Sequence, residues 1–299
     1  MKVIITGAAG QLGQALRHLA PAEIGAAPLE LIATSRSGGD GTIPLDLADA
    51  EACRALVQEH RPDWLINAGA YTAVDKAESE AELAQAVNAA APAAFAEALQ
   101  ATGGRLLQVS TDFVFNGAQG SPYRPDQPVD PLGVYGASKA AGEAAAAAAL
   151  AAERLCILRT SWVYGPVGKN FLLTMLRLMR EREQLGVVAD QVGCPTATAG
   201  LAQACWAVLE HGVSGVHHWS DAGAASWYDF AVAIAELGQA AGLLENPARI
   251  NPITTADYPT PAQRPSYSLL DCRATRQALQ RPPLHWREAL QQVIGDVVA

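Results

Sequence analysis

The amino terminus is the segment that most limits what this chain can fold into. An apolar run of strand length, Lys2–Thr6, leads directly into the sequence Gly7-Ala8-Ala9-Gly10-Gln11-Leu12-Gly13, and residues 11–20 then have the composition of a helix. Glycines at such a junction permit a tight turn and a close approach of backbone to a ligand. This order predicts the first β-α unit of a parallel sheet.

Short apolar runs alternate with longer amphipathic or alanine-rich stretches through the first half of the chain. The predicted strands are Lys2–Thr6, Leu29–Thr34, Trp64–Ala68, Arg105–Ser110 and Leu155–Arg159. The predicted helices are residues 11–20, 48–60, 78–101 and 136–151. A β-α-β-α order with right-handed crossovers predicts an α/β fold with a doubly wound parallel sheet of the Rossmann type.

The pattern becomes less regular after about Gly165, which suggests a change of domain. Further helices are predicted at Phe171–Glu183, Ala199–His211 and Trp286–Val298. We predict a dinucleotide-binding domain at residues 1–165, to which a later strand near 215–221 is added. Residues 166–299 are then mainly a smaller α/β domain for the substrate, which closes over the carboxyl ends of the strands.

Composition excludes several classes of function. A net charge of −9 and a pI near 5.1 disfavour nucleic-acid binding. The five cysteines are far apart and show no Cys-x-x-Cys pair, which indicates reduced thiols in a cytoplasmic protein. The start of the chain leaves no room for the apolar region of a signal peptide, and no stretch is long and apolar enough to predict a membrane span.

The glycine turn is predicted to bind the phosphates of a dinucleotide. Gly7 would permit the turn, Gly10 the approach of a pyrophosphate, and Gly13 the close packing of the helix on the strand. Gln11 and Leu12 open that helix, whose N-terminus presents unpaired N–H groups to the phosphates. The alternative is a purely structural strand-to-helix turn.

The end of the second strand predicts which dinucleotide binds. Many dehydrogenases have an Asp or Glu there for the ribose 2′-hydroxyl, whereas this chain has Arg36. Because an arginine accommodates a 2′-phosphate, NADPH is predicted as the cofactor, with NADH as the alternative. Arg36 could instead be an ordinary solvated surface charge.

Two further segments are candidates for the cofactor site. Asp46 and Leu47 follow a third short strand and would border the adenine, unless Asp46 simply caps the helix at 48–60. Gly69, Ala70 and Tyr71 follow the fourth strand, where small residues let a cofactor approach the backbone.

A hydroxyl cluster and a Tyr-Lys pair are the candidate catalytic residues. The strand that ends in Ser110-Thr111-Asp112 delivers hydroxyls to the same sheet edge as the glycine turn, where Thr111 could polarise a carbonyl. Tyr135 and Lys139 lie four residues apart on a predicted helix, and the ammonium is expected to lower the pKa of the phenol. The alternatives are a packed tyrosine, a solvated lysine and turn-forming hydroxyls.

Taken together, these motifs resemble the extended short-chain dehydrogenase/reductase family. The glycine spacing, Asn67-Ala68-Gly69, Ser110-Thr111-Asp112 and Tyr135-x-x-x-Lys139 match it in order and spacing over most of the chain. Other blocks resemble the members that reduce dTDP-linked 4-keto sugars; these blocks are residues 73–78, 110–115, 159–165, 190–196 and 258–262.

The narrower resemblance implies NADPH-dependent reduction of the C4 ketone of dTDP-4-dehydro-L-rhamnose to dTDP-L-rhamnose, a step of polysaccharide biosynthesis. It also implies that Tyr135 protonates the alkoxide while Lys139 holds the nicotinamide ribose. Thr111 would contact the reacting region, and Asp112 and Trp162 match positions that contact the sugar nucleotide, although Trp162 could equally be a core residue.

The resemblance has one departure and leaves several points open. Arg264 is expected to contact the substrate diphosphate or to belong to a structural ion pair, while Tyr267 stands where the family has Asn. No metal ligands are predicted, and a divalent metal, the nucleotide base and a homodimer are left undecided. The rival functions are another sugar-nucleotide epimerase or reductase and a non-catalytic NADP-binding regulatory subunit. A dehydratase is disfavoured, because Phe113 and not Glu follows Asp112.

Overall fold

A parallel seven-stranded sheet forms the centre of the protein in the computed structural model, which describes residues 1–298. Its strands are β1 (Lys2–Thr6), β2 (Glu30–Ser35), β3 (Ile43–Pro44), β4 (Trp64–Asn67), β5 (Arg105–Thr111), β6 (Leu155–Thr160) and β7 (Gly215–Trp219). Their spatial order is β7-β6-β5-β4-β1-β2-β3, and every neighbouring pair is parallel. The predicted doubly wound α/β fold is therefore confirmed.

Nine labelled helices accompany these strands within the described part of the chain. They are α1 (Gln11–His18), α2 (Ala50–His60), α3, α4 (Val134–Ala149), α5 (Phe171–Glu181), α6 (Thr198–His211), α7 (Trp227–Ala240), α8 (Arg273–Ala278) and α9 (Trp286–Val298). Helix α3 runs through three segments, Ala81–Gln85, the π-helical turn Ala86–Ala90, and Ala91–Thr102. A single helical turn, Val74–Ala77, precedes it.

The central sheet is buried on both faces because successive strand residues point to opposite sides. Val3 and Ile5 of β1 belong to a cluster that contains residues of α1 and α6. Ile4 belongs to the opposite cluster, which contains residues of α2 and of α3. This double burial explains why the sheet strands are nearly continuous apolar runs.

Helix α6 follows residue 165 in the chain but lies against the central sheet. It packs on α1, and the indole nitrogen of Trp206 donates a hydrogen bond to the Leu16 carbonyl at 3.2 Å. Strand β7 then pairs with β6 at the sheet edge. The second half of the chain therefore contributes a helix that covers one face of the central sheet and a strand that forms one of its edges.

A separate hydrophobic cluster lies in the second half of the chain. Helices α5 and α7 pack against a parallel pair of strands, Gln184–Val188 and Arg249–Ile253, and α9 packs against α7. Phe230 and Ile234 of α7 are fully buried there. In the part of the chain that the structure describes, no helix has the length and apolar character needed to cross a bilayer.

Candidate active site

The glycine turn after β1 is packed too tightly for larger residues at two positions. Gly7 has φ +63°, and a Cβ there would lie 2.5 Å from the Gly69 Cα atom. A Cβ at Gly13 would lie 2.2 Å from the Gly7 carbonyl oxygen. The loops after β1 and β4 therefore touch, and α1 lies directly on the turn, as the glycine spacing predicts.

Gly10 differs from Gly13, and this difference gives a testable prediction. A Cβ at Gly10 would approach only the Gly7 carbonyl, at 3.2 Å. We expect Gly13→Ala to lower the unfolding free energy by about 1–3 kcal/mol through overpacking. Gly10→Ala should leave it nearly unchanged while weakening dinucleotide binding, because the methyl group occupies ligand space. Chemical denaturation and ligand titration of both variants test this, and equal stability losses would contradict it.

A cleft of about 380 Å³ opens beside this turn. Its lining contains seven of the predicted cofactor residues: Gly7, Arg36, Asp46, Leu47, Gly69, Ala70 and Tyr71. It also contains residues that the sequence analysis did not assign to the cofactor site: Leu45, Ala73, Lys76, Glu80, Leu83 and Val87. The structure therefore brings together three segments that are well separated along the chain.

Gln11 and Leu12, also predicted at the cofactor site, lie outside this lining. The Leu12 side chain is buried in the core, so only its backbone faces the turn. The Gln11 amide donates to the Lys169 carbonyl at 3.3 Å and accepts from the Asn170 amide at 2.8 Å. Gln11 thus connects the turn to the segment before α5.

Arg36 and Asp46 form an exposed ion pair at the cleft. Arg36 Nη2 donates to Asp46 Oδ2 at 3.3 Å. A backbone hydrogen bond from Ala48 and the nearby Arg36 guanidinium lower the pKa of Asp46. The helix-capping alternative for Asp46 is wrong, because Asp49 caps α2 by accepting from the backbone N–H groups of residues 51 and 52.

Tyr71 is tied to the helix that carries the catalytic candidates. Its hydroxyl donates to Glu80 at 2.5 Å, and this bond raises the pKa of Tyr71 to about 12. Its backbone N–H donates to Asn88, whose amide donates in turn to Ser138 of α4. Asn88 lies in the π-helical turn of α3, a local irregularity that propensity could not predict.

A buried chain of hydrogen bonds crosses the sheet beneath the turn. The Gly69 N–H donates to Thr6 Oγ1, which donates to Asn67. The Asn67 amide donates to Gln108 at 2.8 Å, and the Gln108 amide donates to the Val109 carbonyl at 2.9 Å. The same carbonyl accepts from Lys139. The turn and the candidate catalytic lysine are therefore held by one continuous network.

Lys139 is buried, with 4% of its surface exposed, and Nζ donates to the Val109 carbonyl at 2.7 Å. Burial lowers the pKa of Lys139 to about 8, and the nearby Glu143 carboxylate opposes that shift. The ammonium thus remains the major form at pH 7 but titrates close to the physiological range.

The expected direction of the Tyr135 shift is wrong. Burial raises the pKa of Tyr135 to about 12, Asp112 acts in the same direction, and only the Thr111 hydroxyl opposes it. Desolvation of the phenolate outweighs any effect of the lysine four residues away. Tyr135 is therefore a protonated phenol at neutral pH.

Thr111 and Asp112 lie where β5 ends. The Thr111 hydroxyl donates to Asp112 Oδ1 at 3.0 Å and accepts from the Phe113 N–H. Burial raises the pKa of Asp112 to about 6, although the Ser268 and Thr111 side chains act against that shift. Together with Tyr135 and Lys139, these residues form one group of proton-bearing side chains.

Trp162 follows β6 and is part of an aromatic stack. Its ring lies parallel to that of Trp227, with centroids 3.6 Å apart and an interplanar angle of 7°. Its φ of +47° is rare for a non-glycine residue and costs on the order of 1–3 kcal/mol. The predicted ring is thus held in place from α7, in a backbone conformation that is typical of functional sites.

Arg264 adopts the ion-pair alternative. Its two terminal nitrogens donate to the two carboxylate oxygens of Asp75, at 3.1 and 2.8 Å, and this pairing lowers the pKa of Asp75. The backbone N–H of Ala262 donates to the same carboxylate at 3.2 Å, which joins two of the resemblance blocks, residues 73–78 and 258–262. Tyr267 is half-buried and packs against the cluster that contains Tyr123.

Sequence reasoning missed a buried ion pair behind the candidate site. Glu143 lies one turn after Lys139 on α4, and its carboxylate is paired with Arg159 of β6 at 2.6 Å. The four-residue spacing from Lys139 was a usable signal for Glu143. Its partner could not be found locally, because Arg159 lies on a different element. Within residues 1–298, no three His, Cys, Asp or Glu side chains are grouped as metal ligands.

The sheet, the glycine turn and the Tyr135–Lys139 helix are those of a short-chain dehydrogenase/reductase. A family model described as "RmlD substrate binding domain" matches residues 1–299, and the chain belongs to this family.

Known relatives align over nearly the whole chain. A dTDP-4-dehydrorhamnose reductase of Aggregatibacter actinomycetemcomitans is 39% identical, over 98% of this chain and 98% of that protein. A Streptomyces antibioticus protein named "Probable dTDP-4,6-dihydroxy-2-methyloxan-3-one 4-ketoreductase" is 40% identical, over 100% and 96%. The Bacillus anthracis dTDP-4-dehydrorhamnose reductase in complex with NADP has a TM-score of 0.88 and 33% identity, over 99% of each chain.

Proposed function

We propose that this protein is an NADPH-dependent reductase that converts dTDP-4-dehydro-L-rhamnose to dTDP-L-rhamnose. The observation that carries the proposal is the grouping of Thr111, Tyr135 and Lys139 near the carboxyl end of β5, where Lys139 shares the Val109 carbonyl with the hydrogen-bond network that reaches the end of β1. Full-length similarity to dTDP-4-dehydrorhamnose reductases supports the choice of substrate.

The residues at the cleft fit a dinucleotide. Gly7 and Gly69 lie too close together for a side chain at Gly7, and a Cβ at Gly10, beside the N-terminus of α1, would meet only the Gly7 carbonyl oxygen, at 3.2 Å. That N-terminus attracts phosphate through its free N–H groups and its dipole. Bound NADPH would supply the hydride to the C4 carbon.

Tyr135 is the proton donor in this proposal. A phenol with a raised pKa stays protonated until substrate arrives, and an alkoxide that forms at the C4 oxygen is the stronger base, so the proton passes to it. The Lys139 ammonium stabilises the resulting phenolate. The Thr111 hydroxyl, which donates to Asp112 in the structure, would turn to donate to the reacting oxygen or to the phenol and so fix the direction of transfer.

The substrate side of the proposal rests on residues 166–299 and the loops next to them. Asp112 and Trp162, which match family positions that contact the sugar nucleotide, are assigned to sugar-nucleotide binding. Arg264, whose guanidinium is occupied by Asp75, is assigned to hold the 260–264 segment at the site, with contact to the diphosphate as its second assignment.

Arg36 gives a prediction about cofactor choice. Its guanidinium is 72% exposed at the cleft and free to turn from Asp46 to a 2′-phosphate. Charge-assisted hydrogen bonds contribute about 1.5–3 kcal/mol each, so Arg36→Ala should weaken NADPH binding by about 10- to 150-fold. NADH binding should stay within about twofold. Fluorescence titration with both nucleotides checks this, and equal losses of affinity for both would show that Arg36 does not recognise the 2′-phosphate.

Turnover is the direct test of the function. Purified protein with NADPH and dTDP-4-dehydro-L-rhamnose should consume NADPH and form dTDP-L-rhamnose. The UDP-linked analogue and a second dTDP-linked 4-keto sugar, run in parallel, define the nucleotide and sugar preference. NADPH binding without any turnover at saturating substrate would overturn the reductase proposal in favour of a regulatory NADP-binding protein.

Assembly and location stay predictions. A homodimer is proposed for the protein in solution, and light scattering with and without Mg²⁺ measures its mass and any metal requirement. The cytoplasmic location rests on the odd number of unpaired, buried cysteines.

A further inference from the structure

Three consecutive residues of β5 face three residues of α4 that are spaced one turn apart. The Thr111 hydroxyl acts on Tyr135, the Val109 carbonyl accepts from Lys139, and the Ser110 hydroxyl donates to Glu143 at 2.5 Å. Two of these helix residues belong to the proposed reaction. Glu143 does not, yet it is as deeply buried as Lys139.

Both carboxylate oxygens of Glu143 accept hydrogen bonds from residues other than Lys139. Its Oε1 accepts from Ser110 and from Arg159 Nε at 2.9 Å, and its Oε2 accepts from Arg159 Nη2 at 2.6 Å. The side chains of Glu143 and Arg159 are 7% and 5% exposed. An ion pair removed from water to this degree costs desolvation energy that the packing of an apolar pair would avoid.

Arg159 is itself held on its remaining sides. Its guanidinium lies over the Phe115 ring, 5.2 Å from the centroid, and Nη1 donates to the Pro125 carbonyl at 3.3 Å and to His218 Nε2 at 3.4 Å. Burial and Arg159 lower the pKa of His218 to about 3, so the ring is neutral, and Nδ1–H donates to the Tyr123 carbonyl. The arginine cannot leave Glu143 without breaking these contacts.

We propose that the buried Glu143–Arg159 pair is the counter-charge assembly that keeps the Lys139 ammonium charged and in place, with Glu143 as a positioning residue. Glu143 presents negative charge to Lys139 from the same helix face, one turn away. Arg159 holds the Glu143 carboxylate, so the carboxylate does not form a direct ion pair with the Lys139 ammonium. The ammonium therefore remains hydrogen-bonded to the Val109 carbonyl, close to the proposed reaction.

Other charged groups around α4 do not take this role. On its own helix, Tyr135 is a protonated phenol. Asp112 follows β5 and interacts with Tyr135, and Glu78, from the turn before α3, accepts from the Val134 N–H at the start of α4. His218 of β7 is neutral. Glu143 is the carboxylate whose charge opposes the desolvation of Lys139.

The charge state of Lys139 can be measured directly, because the chain has only four lysines, at positions 2, 76, 139 and 169. In protein labelled with [¹³Cε]lysine, the Lys139 signal is assigned by its loss in Lys139→Arg. Its titration midpoint should lie below those of the other three. The inference rests on the proposed role of Lys139, but this titration uses no substrate or cofactor, so its result is separable from a failure of turnover.

Glu143→Gln should lower the Lys139 midpoint by about one pH unit, since the nearby positive Arg159 loses its counter-charge. Adding Arg159→Met to that variant should raise the Lys139 midpoint again, because the unpaired positive charge is then removed. This reversal is expected even though both substitutions disturb the packing. Glu143→Asp keeps the charge, and Ser110→Ala removes only a hydroxyl, so both should stay within about half a unit. The alkaline limb of the kcat/KM profile should shift in parallel in active variants.

An unchanged or raised midpoint in Glu143→Gln would overturn the proposal, as would a double variant whose midpoint stays as low as that of the single one. Removing one member of a buried pair destabilises a protein. If Glu143→Gln does not fold, Arg159→Met carries the test. Its Lys139 midpoint should rise, and a midpoint that stays or falls contradicts the proposal.

Discussion

Tyr135→Phe should lower kcat by about 10²- to 10⁴-fold, the usual contribution of a general acid. The change removes one oxygen atom from a side chain whose ring packs edge-to-face on Phe113, with centroids 5.6 Å apart. The ring contact survives the substitution, so the fold and the cofactor cleft should be unaffected. Single-turnover kinetics with a saturating 4-keto sugar measure the effect on the proton transfer itself.

Tyr228→Phe is the matched control for this variant. Tyr228 packs against the hydrophobic cluster of α5 and α7, and the loss of its hydroxyl should leave the rate within about twofold. NADPH affinity should be unchanged in both variants. Near-normal turnover by Tyr135→Phe would show that another group supplies the proton, and the reaction would then have to be reassigned.

Lys139→Met should lower kcat by about 10²-fold and weaken NADPH binding by about 10- to 150-fold, because one ammonium serves both the phenolate and the nicotinamide ribose. The wild-type rate should also fall as the pH rises above about 8, because the ammonium that acts in the reaction is lost there. Steady-state kinetics from pH 6 to about 10 test both expectations.

The same substitution should make the protein more stable at pH 7. Burial lowers the pKa of Lys139 from 10.5 to about 8 in the folded protein. Burying the charged form therefore costs about 3 kcal/mol below pH 8. This cost falls to zero as the pH rises from about 8 to 10.5. The Val109 carbonyl keeps its bond from Gln108. Loss of both activity and stability would indicate general damage to the fold. The control for a Lys-to-Met change as such is Lys2→Met, at a partly exposed ion pair away from the site.

Strands and turns of the central sheet could be predicted because their signals are local. Strand β1 has its predicted bounds, and the other four predicted strands end within one residue of the expected positions. Buried parallel strands are continuous apolar runs that stop at glycine or polar residues, so one pass along the sequence locates them. The π-helical turn Ala86–Ala90 gives no such signal in an alanine-rich helix.

The parts of the site that could not be predicted depend on contacts between distant residues. Trp162 meets Trp227, and Arg264 meets Asp75, only after the whole chain has folded. The predicted direction of the Tyr135 pKa shift was wrong for the same reason, because residue spacing identifies a charged neighbour but not how deeply the phenol is buried. Spacing identified the residues of the site, and tertiary structure determined their protonation.

The strand order also sets a length scale for ligands. Arg36 follows β2, Gly7 follows β1, Gly69 follows β4 and Thr111 ends β5, and these four strands are adjacent. At about 4.8 Å per strand, the two outer positions are about 14 Å apart along the sheet edge. A molecule that touches both must be extended and at least that long. The width of these four strands therefore selects a whole dinucleotide, which can reach both outer positions, over either of its two nucleotides alone.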